Sequence, residues 1–328
     1  MLFRKFQLSM FYPSLSLLLI LLCTVWLVGC PPSDGGDEGE GESTEGESTE
    51  GESTEGEATE GESTEGEDVA SAHEDPGDVT GETKTVMLPG DVPLELVWVA
   101  PQTFTMGRNM DEMESSNYED PIHDVTFSIG YWIGKYEITK GQWEAVMGAG
   151  PWVGEWGVPE TPDPNEPATY MNWHEAVAFC EALSEHTENT FRLPREAEWE
   201  AACRAGTRTR FYWGDDLESA DIADYAWYQD SPHVEGVDRS HVVGQLLPND
   251  WGLYDMSGNV WEWCQDWYGE YSESGATETD PTGPEQRWQR VTRGGDFASD
   301  AGDVRSAGTR VGGHPDNGDE QQGLRVVW

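Results

Sequence analysis

The chain has 328 residues, and 64 acidic side chains against 18 Lys and Arg give it a formal net charge of −46. Such a chain offers no basic stripe to a phosphate backbone, which excludes DNA and RNA as partners and leaves a field that attracts cations and basic partners. At about 150 residues per domain the length allows two domains. However, sixteen of the acids fall in Pro31–Asp68, a stretch without Lys or Arg, so one globular unit is expected.

Arg4 and Lys5 precede a Leu-rich run from Leu15 to Val28 that is short for a membrane span and reads as an export signal over residues 1–29. The run ends in Leu27-Val28-Gly29-Cys30, which resembles the lipobox of bacterial lipoproteins. The resemblance implies lipidation of Cys30 and a membrane anchor in the cell envelope, and Pro31-Pro32 bars the helix from continuing. An ordinary cleaved signal or a short membrane anchor is the alternative. Asp at the second position after the lipidated Cys is a retention signal in some bacteria. Pro32 stands there instead and points to the outer membrane or cell surface.

Residues 30–84 carry the unit Gly41-Glu42-Ser43-Thr44-Glu45, repeated through Glu65 with Ala58 replacing one Ser. A segment with so few apolar groups cannot offset its ordering entropy, and like charges extend it. It is expected to be a disordered spacer that holds the domain off a lipid surface, or a solvating tail with no partner.

At Thr85 the composition turns apolar, and fifteen of the 16 Trp lie beyond it, so residues 85–328 are expected to fold around a well-filled core. Leu94–Val99 and Thr103–Met106 predict two short strands about a Pro101 turn, and the alternation from Val125 to Ile133 predicts another. Asn172 can cap a helix with Glu175 three residues on, and Phe179, Cys180 and Leu183, with Val177, mark its buried side. A second helix follows Pro194, with Glu196 and Glu198 in its first turn, and stops near Gly206. Beyond Phe211, Gly, Asn, Asp and Pro break up almost every apolar run. The pattern is that of a loop-rich α+β domain, whose loops need metal ions or disulfides besides a core.

Five segments in order resemble the sulfatase-modifying factor family, whose founding activity is the formylglycine-generating enzyme. They are Phe104-Thr105-Met106-Gly107, Arg192–Glu200, Gly252–Trp263, Arg293–Phe297 and Gly323–Val327. The resemblance implies a single C-type-lectin-like domain poor in regular structure. It departs at Arg195, where the family more often has Thr, a change expected to be tolerated. The family's oxidases bind copper(I) between two cysteines shortly after the Gly-Gly pair and turn a substrate Cys into formylglycine. The matching positions here are Ser299 and Val304, and Asp296 replaces the family's Ser. Neither residue is a soft ligand, so copper is not expected.

Of the domain's cysteines, Cys180 and Cys203 read as buried small groups or a mutual disulfide, and Cys264 as packing or a reactive thiol. The resemblance also implies a structural calcium at Tyr254–Trp263, with side chains of Asp255 and Glu262 and carbonyls of Met256, Gly258 and Val260 as ligands. Asn259 would brace the loop. A plain Asp- and Asn-rich turn is the alternative. A second calcium site would fall near Asp224–Tyr228, without a clear acidic partner. The histidines do not match the iron-binding set of related sulfur-transferring enzymes, and His123 reads as structural.

Two functions remain. One is a calcium-stabilised binding or accessory module whose loops and exposed aromatics, such as Trp152, Trp156, Trp227 or Trp288, recognise a glycan, peptide or envelope protein. The other is a formylglycine-generating oxidase, or a related oxidoreductase, with an altered site.

Overall fold

A computed structural model describes residues 76–328, except 110–111, 153, 155–161, 216–220, 232–238, 272–275 and 309–310. The segment expected to be an export signal, Cys30, the repeat and Trp156 therefore lie outside the described residues, all of which belong to the unit Val69–Trp328. Among them, no helix is long and apolar enough to cross a membrane.

The chain enters through β1 (Thr83–Leu88), antiparallel to β2 (Val92–Val99). Order begins ahead of β1, since the Thr80 hydroxyl accepts from Ala100 N–H and Gly77 O accepts from the Trp98 indole. β2 shows why it is central. Its period of two sends Leu94, Leu96 and Trp98 into one apolar cluster and Val97 and Val99 into another, so both faces are covered. β3 (Thr103–Met106) pairs with β4 (His123–Thr126), and β5 (Tyr131–Gly134) pairs with β2. The single strand expected over Val125–Ile133 is thus two. Ile129 keeps the sequence alternation but is 75% exposed, where the chain leaves one sheet for another.

α1 (Lys140–Met147) has no counterpart in the sequence reading; Thr139 and Gln142 form its capping box. α2 (Trp173–Thr187) starts from Asn172 with the expected Glu175 box. α3 (Glu196–Arg204) is buried along its whole length, and Ala197, Ala201 and Ala202 make it slim enough to sit between sheets. Arg195, at its N-cap, gives its backbone N–H to Glu198 (2.8 Å) and its guanidinium to Asp280 O.

The second half supplies β6 (Trp261–Trp267), β7 (Glu278–Thr279), β8 (Arg290–Arg293), β9 (Val311–Gly313) and β10 (Gln322–Gly323). They build a β10-β6-β8-β9 sheet, while β7 joins β3 and β4. The final residues return to where the domain began: Trp132 and Gly134 donate to Trp328 and Val326 carbonyls, and Arg192 and Val327 exchange hydrogen bonds. Few helices and many loops around small sheets make this the α+β, C-type-lectin-like architecture expected.

Buried ion pairs staple the loops. Arg293 reaches Glu200 at 2.7 Å, Arg325 reaches Glu262 at 2.8 Å, and Arg305 reaches Glu119 at 2.5 Å and Glu112 at 2.7 Å. Removing one partner of such a pair strands a charge in a poor solvent. Arg305→Met leaves two carboxylates unpaired and is expected to cost about 3–5 kcal/mol of unfolding free energy in urea. A loss below about 1 kcal/mol would show that Arg305 is not a staple.

Candidate functional site

The site is built where β8 ends and the Tyr254–Trp263 loop approaches it. After Arg293 the chain turns through Gly294 and Gly295, both with positive φ, and a Cβ on Gly295 would come 2.6 Å from Val304 Cγ1. Asp296 then folds back on Ser299. The Ser299 hydroxyl donates to Asp296 Oδ1 at 2.6 Å and accepts from Asp296 N–H, while Ala298 N–H also donates to Oδ1. Asp296 Oδ2 is buried and has no partner among the described residues. Burial, with Asp319 nearby, pushes the Asp296 carboxyl above the usual carboxylate range. Val304 packs with Phe211, Ile222, Ala226 and Tyr228. The two positions matched to copper ligands are therefore a tied hydroxyl and a hydrocarbon.

The facing loop bends at Asp255, Gly258 and Asn259, all with positive φ. Gly258 donates to Gly294 O at 2.8 Å, Asn259 to Trp227 O at 2.9 Å, and Phe297 to Asn259 O at 3.1 Å. A Cβ on Gly258 would collide with the Trp227 carbonyl, so only glycine lets these backbones meet. The Asn259 amide spans Glu137 Oε2 (2.6 Å) and His241 O, and its oxygen accepts from His241 N–H. It is a brace. The His241 ring lies on Trp227 at 3.8 Å between centroids. Trp227 Nε1 and Ser257 Oγ are buried without partners among the described residues.

The residues expected to hold calcium are together but unequal. Asp255 is buried, accepts Gly244 N–H at 2.6 Å on Oδ2, and is pushed up to about 6 by that burial. Glu262 is already engaged: Arg325 makes three hydrogen bonds to its two oxygens and Trp199 Nε1 makes a fourth at 2.8 Å. Met256 O accepts from the Cys203 thiol. Glu137, which the sequence reading did not single out, is fully buried beside them, and burial, Asp255 and Glu262 push its carboxyl well up. Three carboxylates thus share one guanidinium, an excess of buried negative charge. Among the described residues no group of three or more His, Cys, Asp or Glu side chains converges to hold a metal by itself. A calcium here would rest on Asp255 and carbonyl oxygens, with Glu262 sharing an oxygen. Of the second suggested site, Ile222–Asp224 is a short 3-10 turn in which Asp224 O accepts from Leu247 N–H.

Trp152, expected to be an exposed aromatic, is 1% exposed and packs edge-on against Trp143. Trp227 is half-buried, whereas Trp288 is 86% exposed. Cys180, Cys203 and Cys264 are free and buried, which removes the mutual disulfide. Burial pushes all three thiols up, Cys203 to about 12.

The sequence profile of the sulfatase-modifying factor enzyme 1-like domain matches residues 87–328. The formylglycine-generating enzyme of Thermomonospora curvata is 37% identical over 170 residues, 47% of this chain and 52% of that enzyme. This chain therefore spans about half the length of that curated relative. The chaperone protein LppX of Paenibacillus barcinonensis is 31% identical over 264 residues, 65% of this chain and 84% of that protein. Among solved structures, PvdO from Pseudomonas aeruginosa superposes with a TM-score of 0.65 at 26% identity, covering 76% of this chain and 99% of that one.

Because the thiolate is the reactive form, iodoacetamide is expected to leave Cys180, Cys203 and Cys264 unmodified in the native protein and to alkylate all three after denaturation. Peptide mass mapping reads the difference. Rapid native labelling of any of them would show a thiol that the fold does not bury.

Proposed function

Since the chain belongs to the sulfatase-modifying factor enzyme 1-like family, we propose that it is a member whose oxidase position has become part of a binding or accessory module, tethered to the cell envelope through Cys30. One observation carries this reading: Ser299 is tied to Asp296 at 2.6 Å, and Val304 belongs to an apolar cluster. Copper(I) selects soft thiolate ligands, and neither residue can become one. The other thiols, at Cys180, Cys203 and Cys264, are locked in the core and held protonated by burial.

The unmet polar atoms of Asp296, Ser257 and Trp227, beside the Trp227–His241 stack, support a polar ligand: a glycan, peptide or envelope protein. The relation to a protein named as a chaperone supports an accessory role on a partner protein. A structural calcium is part of the proposal, held by Asp255 and Glu262 with the carbonyls of Met256, Gly258 and Val260. Its support is the surplus of carboxylate around Arg325.

The test offers the full chain calcium, copper(I), oxygen and a cysteine peptide of the sulfatase type. The peptide is expected back at unchanged mass, also from the Ser299→Cys/Val304→Cys variant, because Asp296 still occupies the turn. Conversion of the peptide Cys to formylglycine by the natural chain would return it to the oxidases. Calcium is expected to raise the thermal midpoint of the natural chain and not that of Asp255→Asn; equal shifts in both would remove the ion from Asp255.

A further inference from the structure

A second concavity shares no residue with the site above. It measures about 310 Å³, many times the roughly 30 Å³ share of one water. Three elements wall it: β4 through His123, the start of α3 through Glu196, and the end of β6 through Asp266, with Tyr271 just beyond. Its wall carries four carboxylates, Glu196, Asp266, Glu270 and Glu278, and two nearly buried residues, Asp266 and His123, each hold an acceptor atom that receives no donor among the described residues.

Asp266 is 5% exposed, and its Oδ2 accepts Glu196 N–H at 2.9 Å, but Oδ1 receives no hydrogen bond among the described residues. Oδ1 lies just under Gly283, another wall residue. His123, also 5% exposed, faces Pro121 O with Nδ1 at 2.9 Å. A carbonyl can only accept, so Nδ1 carries a proton, and Nε2, an acceptor whenever the ring holds no second proton, has no hydrogen-bond partner among the described residues. The Tyr271 hydroxyl donates to Glu196 Oε1 at 3.1 Å, which turns that phenol away from donating to a ligand. Glu278 lines the same cavity, half-buried.

We propose that this cavity binds an organic cation, a primary ammonium on an unbranched alkyl chain. Acceptors from three separate elements line the cavity, as many as an ammonium has N–H donors, whereas a guanidinium presents its donors in one plane. Anions are excluded by the carboxylates. A metal ion is a poorer match, because no group of three or more His, Cys, Asp and Glu side chains converges at ligating distance among the described residues. Met106, Ala197, Pro281 and Pro284 give the alkyl chain an apolar wall. The Tyr271 ring, tilted against His123 at 4.9 Å, adds a π face for the charge. The acidity of the chain draws such cations from solution. A lysine side chain of a partner protein and a free alkylamine both carry this chemistry.

The site titrates. Burial and Glu196 push Asp266 up to about 7, against the opposing pull of Glu196 N–H and of Arg195, with Glu198 adding to the rise and Arg290 also within its field; His123 on β4, Glu270 and Tyr271 beyond β6, and Glu278 on β7 face the same cavity. A bound cation favours the carboxylate, so affinity falls as pH drops below about 7 and Asp266 takes up a proton.

Calorimetry on the full chain tests this with n-butylammonium and N-acetyl-lysine amide, against 1-butanol and N-acetyl-norleucine amide. Both cations are expected to bind and the neutral analogues to give no heat, with weaker binding at pH 5.5 than at pH 8. Asp266→Asn keeps an acceptor for Glu196 N–H, so its thermal midpoint should hold while affinity drops about tenfold or more, the worth of one charge-assisted hydrogen bond. Glu278→Gln, on the rim, is expected to weaken binding about two- to threefold through its field alone. Binding of N-acetyl-lysine amide but not of butylammonium would identify a basic side chain of a partner as the ligand. Equal binding of both would identify the ammonium itself. No binding of either cation, equal binding of the neutral analogues, unchanged affinity in a folded Asp266→Asn, or tighter binding of n-butylguanidinium would overturn the proposal.

Discussion

Guanidinium groups buried against carboxylates from distant parts of the chain are what the rest of this domain hangs on. Arg325, two residues beyond β10, ties the end of the chain to Glu262 in β6 and also donates to Gly134 O and Tyr254 O. Arg293 ties β8 to Glu200 in α3, and Glu200 in turn holds Arg204 and Gly107 N–H. Arg305 closes a loop on Glu119 with both sides fully buried. Each guanidinium offers five donors in a fixed fork, so one side chain can satisfy several loop carbonyls as well as its carboxylate. Such a device suits a fold with little regular structure, where backbone carbonyls would otherwise be stranded. It is costly in desolvation, and its value lies in fixing which loop meets which.

This explains why residues that look chemical in the sequence are structural. Glu198, Glu200, Glu262, Arg293 and Arg325 carry the family resemblance, and every one is spent on an internal ion pair. What remains for ligands is less conspicuous: the Asp296 turn, the Trp227–His241 stack, and an acceptor-lined cavity under Gly283. Ser299 is held in the turn and Val304 in an apolar cluster, so neither position offers sulfur.

Local signals were legible in the sequence. α2 and α3 follow from capping residues and spacing, because those interactions span three or four positions. α1 carried the same kind of box, Thr139 to Gln142, but Gly141 and Trp143 in its first turn hid a short helix. The strand over Val125–Ile133 failed because alternation reports facing and not continuity, and Ile129 fits the alternation while lying on the surface. Glu137 and Asp266 escaped notice for a different reason. A lone acid with one aromatic neighbour, Tyr136 or Trp267, gives no local sign of burial; only the meeting of distant segments reveals that each sits against other carboxylates. His123, read as structural, keeps that role through Nδ1 and gains a second one through Nε2.

The most direct measurement is a double-mutant cycle on Glu262 and Arg325, using Glu262→Gln, Arg325→Met and their combination, with urea unfolding of each. If buried pairs organise the loops, either single change costs several kcal/mol and the double costs little more, giving a coupling energy of about 2–3 kcal/mol. A coupling below about 0.5 kcal/mol, the scale of an exposed pair, would contradict the account and leave the apolar clusters alone to hold the fold.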